Sequence, residues 1–306
     1  MIVEAQEPYA PTDMHITLPF ISMCRRFGIH VAITVLWAFG IAALVSANAS
    51  DAAPRRVVSM NLCTDQLAML LAAPGQLYSV SYLAGRTDAS VLADRADEYA
   101  TNHGLAEEIF LMKPDLVIAG TFTTRATINL LKRFAFRIVE FPPANSFQDI
   151  ETNVTRMGRV LGRQAAAGAA VSEMRRELAT WSAAEKQRSL TALYYANSYT
   201  SGGNTLASDI VRQAGLENLG DRLGLAGTTR LPLELLVTSQ PELLVKGRRY
   251  GSTGSRSTEV LEHPALTAGL VTSARALLSD RYWICGAPFT FEAVRSLARA
   301  ARQVVR

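Results

Sequence analysis

The chain has 306 residues, of which 49% are hydrophobic, 8% aromatic and 19% charged, with a formal net charge of +4. Such a composition excludes a disordered or low-complexity protein and leaves room for one large domain or two moderate ones, each with its own core. The basic excess is too small and too dispersed for a nucleic-acid binder.

The first 50 residues differ from the rest: Arg25 and Arg26 precede an apolar run from Phe27 to Val45, and small residues follow from Ser46 to Ser50. A basic n-region, an apolar h-region and an A-x-A site at Ala47, Asn48 and Ala49 make a signal peptide over residues 1–49. The run is just long enough to span a bilayer, and the A-x-A exit favours cleavage over an anchor. Residues 1–22 are superfluous to that leader, which places the true start at Met23 or Met14. The mature protein is expected to be soluble and exported. Cys24 sits on the wrong side of the apolar run for lipid attachment, so Cys63 and Cys285 remain, an even count in an oxidising compartment.

Beyond the leader, short runs rich in β-branched residues alternate with helical patterns. "VVSM" at 57–60, "LYSVSYL" at 77–83, "DLVIAG" at 115–120 and "FRIVEFP" at 136–142 read as strands buried on both faces. Between the first two lies "TDQLAMLLA", a helix that Thr64 can cap. This βαβ order predicts a mainly parallel sheet.

After residue 142 the pattern changes. Ser146 with Asp149 three residues on forms a capping box, Ile150, Val154, Met157 and Val160 or Leu161 recur at helical spacing, and Gly162 is the stop. A helix over 146–161 would be about 24 Å long, enough to cross from one lobe to another. A second helical stretch then leads to strands "LTALYYA" at 190–196, "PELLVKG" at 241–247 and "ARALLSD" at 274–280, and a closing helix runs from Pro288 to about Val305. The predicted fold class is therefore α/β. It comprises an N-terminal lobe over 50–145, a linking helix over 146–162 and a C-terminal lobe over 163–306.

One internal similarity supports two related lobes. "EEIFLMKPDLVIAG" at 107–120 reappears in outline as "ELLVTSQPELLVKG" at 234–247, with Glu107, Pro114, Asp115 and Gly120 each 127 positions from Glu234, Pro241, Glu242 and Gly247. Each copy reads as an amphipathic helix, a proline that ends it and a strand finishing at glycine. Helix, proline, strand is also a common α/β transition, so chance recurrence is the competing reading.

These segments resemble class III periplasmic substrate-binding proteins of ABC importers for ferric siderophores, haem and cobalamin. The likeness covers about residues 54–306 and rests on "RRVVSMNLCTDQLAMLLA", "AEEIFLMKPDLVIAG", "PANSFQDIETNVTRMGRVLG", "GLENLG" before "RLPLELLVTSQPELLV", and "RYWICGAPF". It implies two Rossmann-like lobes joined by one rigid helix, a ligand in the cleft between them, and no catalysis. Partners would be a small metal chelate (ferric siderophore, cobalamin or haem) and an inner-membrane ABC permease dimer, with the protein a periplasmic monomer and without a bound cofactor of its own. Glu107 and Glu234 fall where family members carry the glutamates that dock onto permease arginines. Exposed glutamates at helix starts also arise from the helix dipole alone.

In open parallel sheets ligands bind beyond the carboxyl ends of the strands. Those ends supply Asn61, Tyr82, Arg86, Phe122, Arg125, Tyr199, Arg248, Arg249, Tyr250 and Trp283, together with Cys63 and Cys285. The arginines could grip carboxylate, catecholate or phosphate oxygens, and the aromatics could pack on a chelate or macrocycle. Cys63 and Cys285 either pair, closing a loop of 222 residues worth roughly 5 kcal/mol, or stay separate thiols, packed or facing the ligand.

A site for a bare metal ion is disfavoured, because of the histidines only His103 and His263 follow the leader and neither sits in a ligand cluster. His263 before Pro264 reads as a turn residue, whereas His103 lies nearer the cleft. An exported enzyme is the alternative from another class, yet the chain lacks G-x-S-x-G, H-E-x-x-H and Walker motifs. A ligand sensor without a permease, on the same two lobes, is the third.

Overall fold

The computed structural model describes residues 52–182, 189–247, 255–270 and 273–304. The predicted leader over 1–49 and the Arg248, Arg249, Tyr250 cluster lie outside the described residues. The first sheet contains β1 (Val57–Ser59), followed by helix α1 (Leu62–Leu71), then β2 (Leu77–Ser81) and β3 (Ala100–Asn102). Helix α2 (Ala106–Met112), β4 (Leu116–Gly120), helix α3 (Arg125–Arg133) and β5 (Ile138–Phe141) complete this lobe. All its strands are parallel, in the order β3-β2-β1-β4-β5. Val57, Val58, Leu116, Val117 and Ile118 are fully buried, as central strands covered on both faces require.

Helix α1 starts earlier than the sequence suggests. Asn61, not Thr64, is the N-cap: its Oδ1 accepts the Cys63 N–H at 3.0 Å. Thr64 instead turns its hydroxyl back onto the Asn61 carbonyl at 2.9 Å. Asparagine at the end of an extended strand is the better cap, because its side-chain oxygen reaches the free amides of the first turn.

Helices α4 (Phe147–Leu161) and α5 (Gln164–Ser182) carry the chain onward. Ser146 caps α4, its Oγ accepting the Asp149 N–H at 3.1 Å, while the Asp149 carboxylate accepts the N–H of Asn145 at 2.9 Å. Gly162 closes α4 in the left-handed conformation, φ 69°. One face of α4, with Ile150, Val154, Met157 and Leu161, is fully buried. Packing joins α4 to α1 of the first lobe and α5 to the closing helix of the second.

The second lobe opens with β6 (Leu190–Tyr194) and β7 (Tyr199–Ser201), continues through α6 (Leu206–Gln213), β8 (Glu217–Asn218) and α7 (Leu219–Arg222), and reaches β9 (Thr228–Arg230). Then come α8 (Leu233–Thr238), β10 (Leu243–Lys246), α9 (Arg256–Glu259), α10 (Pro264–Gly269), β11 (Ala274–Leu277) and α11 (Phe291–Val304). Its main sheet is parallel in the order β11-β10-β6-β8, and β7 and β9 add an antiparallel ribbon that the sequence pattern does not announce. Both main sheets therefore share one plan. The first strand has its successor on one side, and the strand of the repeated motif, β4 or β10, on the other.

Candidate functional site

A change of winding direction makes a crevice. In the first lobe the chain winds outward from β1 through β2 to β3, then returns to the other side of β1 for β4 and β5, so the topological switch point falls between β1 and β4. Loops leaving the carboxyl ends of β1 and β4 diverge there. Gly120, the last residue of β4, lies so close to Asn61 that a Cβ on it would stand 3.3 Å from the asparagine Cγ. In the second lobe Gly247 holds the same place, its hypothetical Cβ 3.4 Å from Tyr195 beyond β6.

A hollow of about 130 Å³ occupies the first switch point. Asn61, Cys63, Thr64 and Leu67 of the β1–α1 corner form one wall, Gly120, Thr121 and Phe122 after β4 a second, and Phe141 to Ala144 after β5 a third. Asn153 of α4 contributes from below, held by its Nδ2 donating to the Pro142 carbonyl at 3.0 Å. Ile284 and Gly286 close the remaining side from the second lobe. Small-ligand sites commonly measure about 300–1,000 Å³, so this hollow between the lobes is smaller than a complete site for such a ligand.

The two lobes are joined beside that hollow. Cys63 and Cys285 form a disulfide, their Cα atoms 5.0 Å apart, across 222 positions of sequence. The Phe147 N–H at the start of α4 donates to Asp209 Oδ2 of α6 at 2.8 Å. At Gly286 a side chain would be impossible without movement, because a Cβ would lie 2.4 Å from that of Ala144 and 2.9 Å from Ile150.

The sequence-selected residues divide sharply. Asn61, Cys63 and Phe122 line the hollow, Phe122 being 87% exposed, and Trp283 and Cys285 flank the lining residue Ile284. Trp283 is tethered through Nε1 to Asp280 at 3.0 Å and sets its ring edge-on to Tyr195 at 5.9 Å. Tyr82, Arg86, Arg125 and Tyr199 stand outside the hollow. Arg86 is bound by both oxygens of Asp88, at 3.0 and 2.6 Å, and Arg125 by Glu140 at 2.7 Å and the Thr121 carbonyl at 2.7 Å. The Glu140 carboxyl is held below its ordinary range, first by the hydrogen bond from Arg125 and then by Lys132. Both guanidinium groups are thus paired with carboxylates of the same lobe, and both stay exposed.

Tyr82 stacks on His103 with ring centroids 5.5 Å apart, and His103 Nδ1 lies 3.0 Å from Glu108. Tyr199 lies under Arg230 at 5.8 Å on the antiparallel ribbon. Glu107 and Glu234 are exposed, each the second residue of its helix, α2 and α8. Among the described residues no group of three or more His, Cys, Asp and Glu side chains could hold a metal ion, and no helix is long and apolar enough to cross a membrane.

Sequence reasoning missed Pro142, Pro143, Asn153 and Ile284. The prolines were legible in principle, because "FPPA" ends a predicted strand just as "NLCTD" does. Asn153 interrupts the apolar stripe of α4 on its buried face, a signal in itself. Ile284 lies in the stretch selected at 283–289, but only its neighbours Trp283 and Cys285 were singled out.

Two parallel α/β sheets with a hollow at a switch point and a second lobe closing over it define a two-lobed solute-binding architecture. A family model described as periplasmic binding protein matches residues 57–269. The chain belongs to that family. No curated protein matches it in direct comparison. Among solved structures it is similar to a possible iron-binding, periplasmic solute-binding protein from Staphylococcus epidermidis, with TM-score 0.69 and 15% identity over 82% of this chain and 99% of that one. A periplasmic heme-binding protein from Roseiflexus gives TM-score 0.68 and 18% identity over 82% and 99%. The periplasmic vitamin B12 binding protein of Vibrio cholerae gives 0.62 and 17% over 83% and 98%. At these identities the likeness is one of fold.

Proposed function

We infer that the protein is the exported, periplasmic binding component of an ABC importer, and that it captures a bulky metal chelate of the corrinoid or haem type and delivers it to an inner-membrane permease. The observation that carries the choice of ligand is the lining of the hollow. Asn61, Thr64, Thr121 and Asn153 are its only polar side chains among the described residues, and no ionised side chain contributes. Arg86 and Arg125, the described arginines expected to grip an anionic ferric siderophore, are already paired. The apolar edge of a macrocycle packing against Phe122, Phe141 and Ile284 meets this surface without burying a charge, as the neutral amide periphery of a corrinoid does and as haem does with its two propionates held outside the hollow. Among the similar structures, the heme-binding and vitamin B12 binding proteins support the same class.

Titration of the mature protein with cyanocobalamin, hemin and a panel of ferric siderophores, read by calorimetry and by Trp283 fluorescence, tests this reading. Micromolar or tighter binding of a macrocycle is expected. Preference for an anionic siderophore would reverse the ligand assignment, and silence across the panel from folded protein would remove the transport reading in favour of an exported enzyme or sensor.

A further inference from the structure

Ile284 lies within a segment that is pinned on nearly every side. Its own N–H donates to the Asp280 carbonyl at 2.9 Å, Trp283 is fixed to the Asp280 carboxylate, and Thr290 donates its hydroxyl to the Cys285 carbonyl at 3.3 Å. Gly286 fits against Ala144 and Ile150 with no room for a methyl group. Cys285 is 1% exposed, yet Ile284 beside it is 49% exposed and lines the hollow. Leaving a large aliphatic side chain half bare in so constrained a segment forgoes burial that would stabilise the fold. The other end of the disulfide is equally placed, because Cys63 sits in the first turn of α1 between the lining residues Asn61 and Thr64. One covalent bond thus sets the spacing between the two walls that face each other across the cleft floor.

We propose that Ile284 is a specificity-determining residue of the ligand cleft, positioned by the Cys63–Cys285 disulfide, so that ligand affinity is coupled to the thiol state of this pair. The proposal rests on the reading of the hollow as the floor of the ligand site. Reduction by a dithiol cleaves the Sγ–Sγ bond, passes two electrons and two protons to Cys63 and Cys285 and closes the dithiol into its own disulfide. With the bond broken, the segment 283–286 keeps its local hydrogen bonds but loses its tether to α1. Coupling is reciprocal: a ligand that binds the oxidised protein more tightly by some factor makes the pair harder to reduce by the same factor.

The test uses the full mature protein with cyanocobalamin as the first probe and hemin as the second. Ile284→Ala, with its disulfide intact, is expected to weaken binding about tenfold, and the Cys63→Ser/Cys285→Ser variant by a similar factor. Combining all three should cost little more than either, because the disulfide acts through Ile284. Saturating probe should raise the ratio of reduced to oxidised dithiothreitol needed for half-reduction, measured by thiol alkylation and mass spectrometry, by the factor that the cysteine variant loses. If the cysteine variant does not fold, the half-reduction measurement on the unaltered protein stands in its place. Full affinity of Ile284→Ala, additive losses, or a half-reduction point that ignores the probe would each overturn the proposal while leaving the ligand reading intact. If neither probe nor any ferric siderophore binds folded protein, the ligand reading and this proposal fall together.

Discussion

Lys113 and Gln240 are 127 positions apart, and both adopt the left-handed conformation, φ 49° and 46°, immediately before a proline. For a residue with a Cβ this region costs on the order of 1 kcal/mol, and the following ring already disfavours the helical alternative. A left-handed residue before proline at matching points between α2 and β4 and between α8 and β10 favours one helix–turn–strand unit used twice over chance recurrence of a common transition. It also makes Glu107 and Glu234 structural equivalents, one on each lobe, suited to a partner built with two-fold symmetry.

From this equivalence follows the first prediction. Glu107→Arg and Glu234→Arg should each reduce uptake of the ligand through the cognate permease, and the double variant should abolish it, while ligand affinity stays unchanged. Both carboxylates are exposed, so stability should shift by less than about 0.5 kcal/mol. Uptake assays in cells or proteoliposomes, paired with calorimetry, separate the two effects; normal uptake by the folded double variant would remove the docking role.

The junction between lobes is tested at Gly286. Its φ is not in the left-handed region, so the cost of a side chain there is steric alone. Gly286→Ala pushes a methyl group into Ala144 and Ile150, and overpacking of this kind costs about 1–3 kcal/mol. The urea midpoint of the variant should fall accordingly. Ala144→Gly in the same chain should restore part of the loss by clearing the nearer contact. A variant as stable as the parent would show that the lobes meet more loosely here than the geometry states.

How far the sequence could be read depended on the range of the interactions involved. Seven strands, the Ser146 cap, the Gly162 stop and each copy of the repeated unit were legible because each is written in residues a few positions apart, whereas the short β3 and β8 carry too few residues to show a pattern. Thr64 misled because two hydrogen-bonding residues competed for one helix start, and the better acceptor, Asn61, lay on the strand side of the boundary. The partners of the arginines were hidden for a different reason. A strand-end position says where Arg86 and Arg125 begin but not that Asp88 and Glu140 meet them first. That Ile284 meets the wall formed by Asn61 and Thr64 was not legible, because the disulfide beside it joins positions 222 apart in sequence.

The Arg125–Glu140 pair gives a prediction of small effect. Arg125 is exposed, and Lys132, 3.2 Å from Glu140, remains to neutralise the carboxylate when the guanidinium is gone. Arg125→Ala should therefore change stability by under about 1 kcal/mol and affinity for a neutral macrocycle by less than about fivefold. Calorimetric titration measures the second directly. A loss of affinity well beyond that would show that the guanidinium itself takes part in the ligand site, against the reading of its charge as compensated by Glu140.

Asp65 gives the protein a stability that depends on pH in a direction opposite to the usual carboxylate. It lies in α1 below the cleft floor, wholly buried, with Oδ2 accepting the Ser81 N–H at 3.2 Å and the Ser81 hydroxyl at 2.5 Å, and with no partner for Oδ1. Burial dominates these hydrogen bonds and lifts its pKa from 3.8 to about 6. Since the folded value exceeds the unfolded one, the native state holds this proton more tightly. The contribution to stability is fully present below pH 3.8 and is lost as pH rises through about 6. The loss from this group is on the order of 3 kcal/mol across that window, against the opposing trend from paired carboxylates such as Glu140 and Glu108. Asp65→Asn keeps an oxygen for Ser81 and removes the titration, so the difference in unfolding free energy between variant and parent should grow in favour of the variant between pH 4 and pH 7 and stay level above it. Urea unfolding at a series of pH values, with the disulfide intact, measures that difference. If it does not vary with pH, Asp65 ionises in the fold as readily as in the unfolded chain, and the unpartnered Oδ1 must be reached by water.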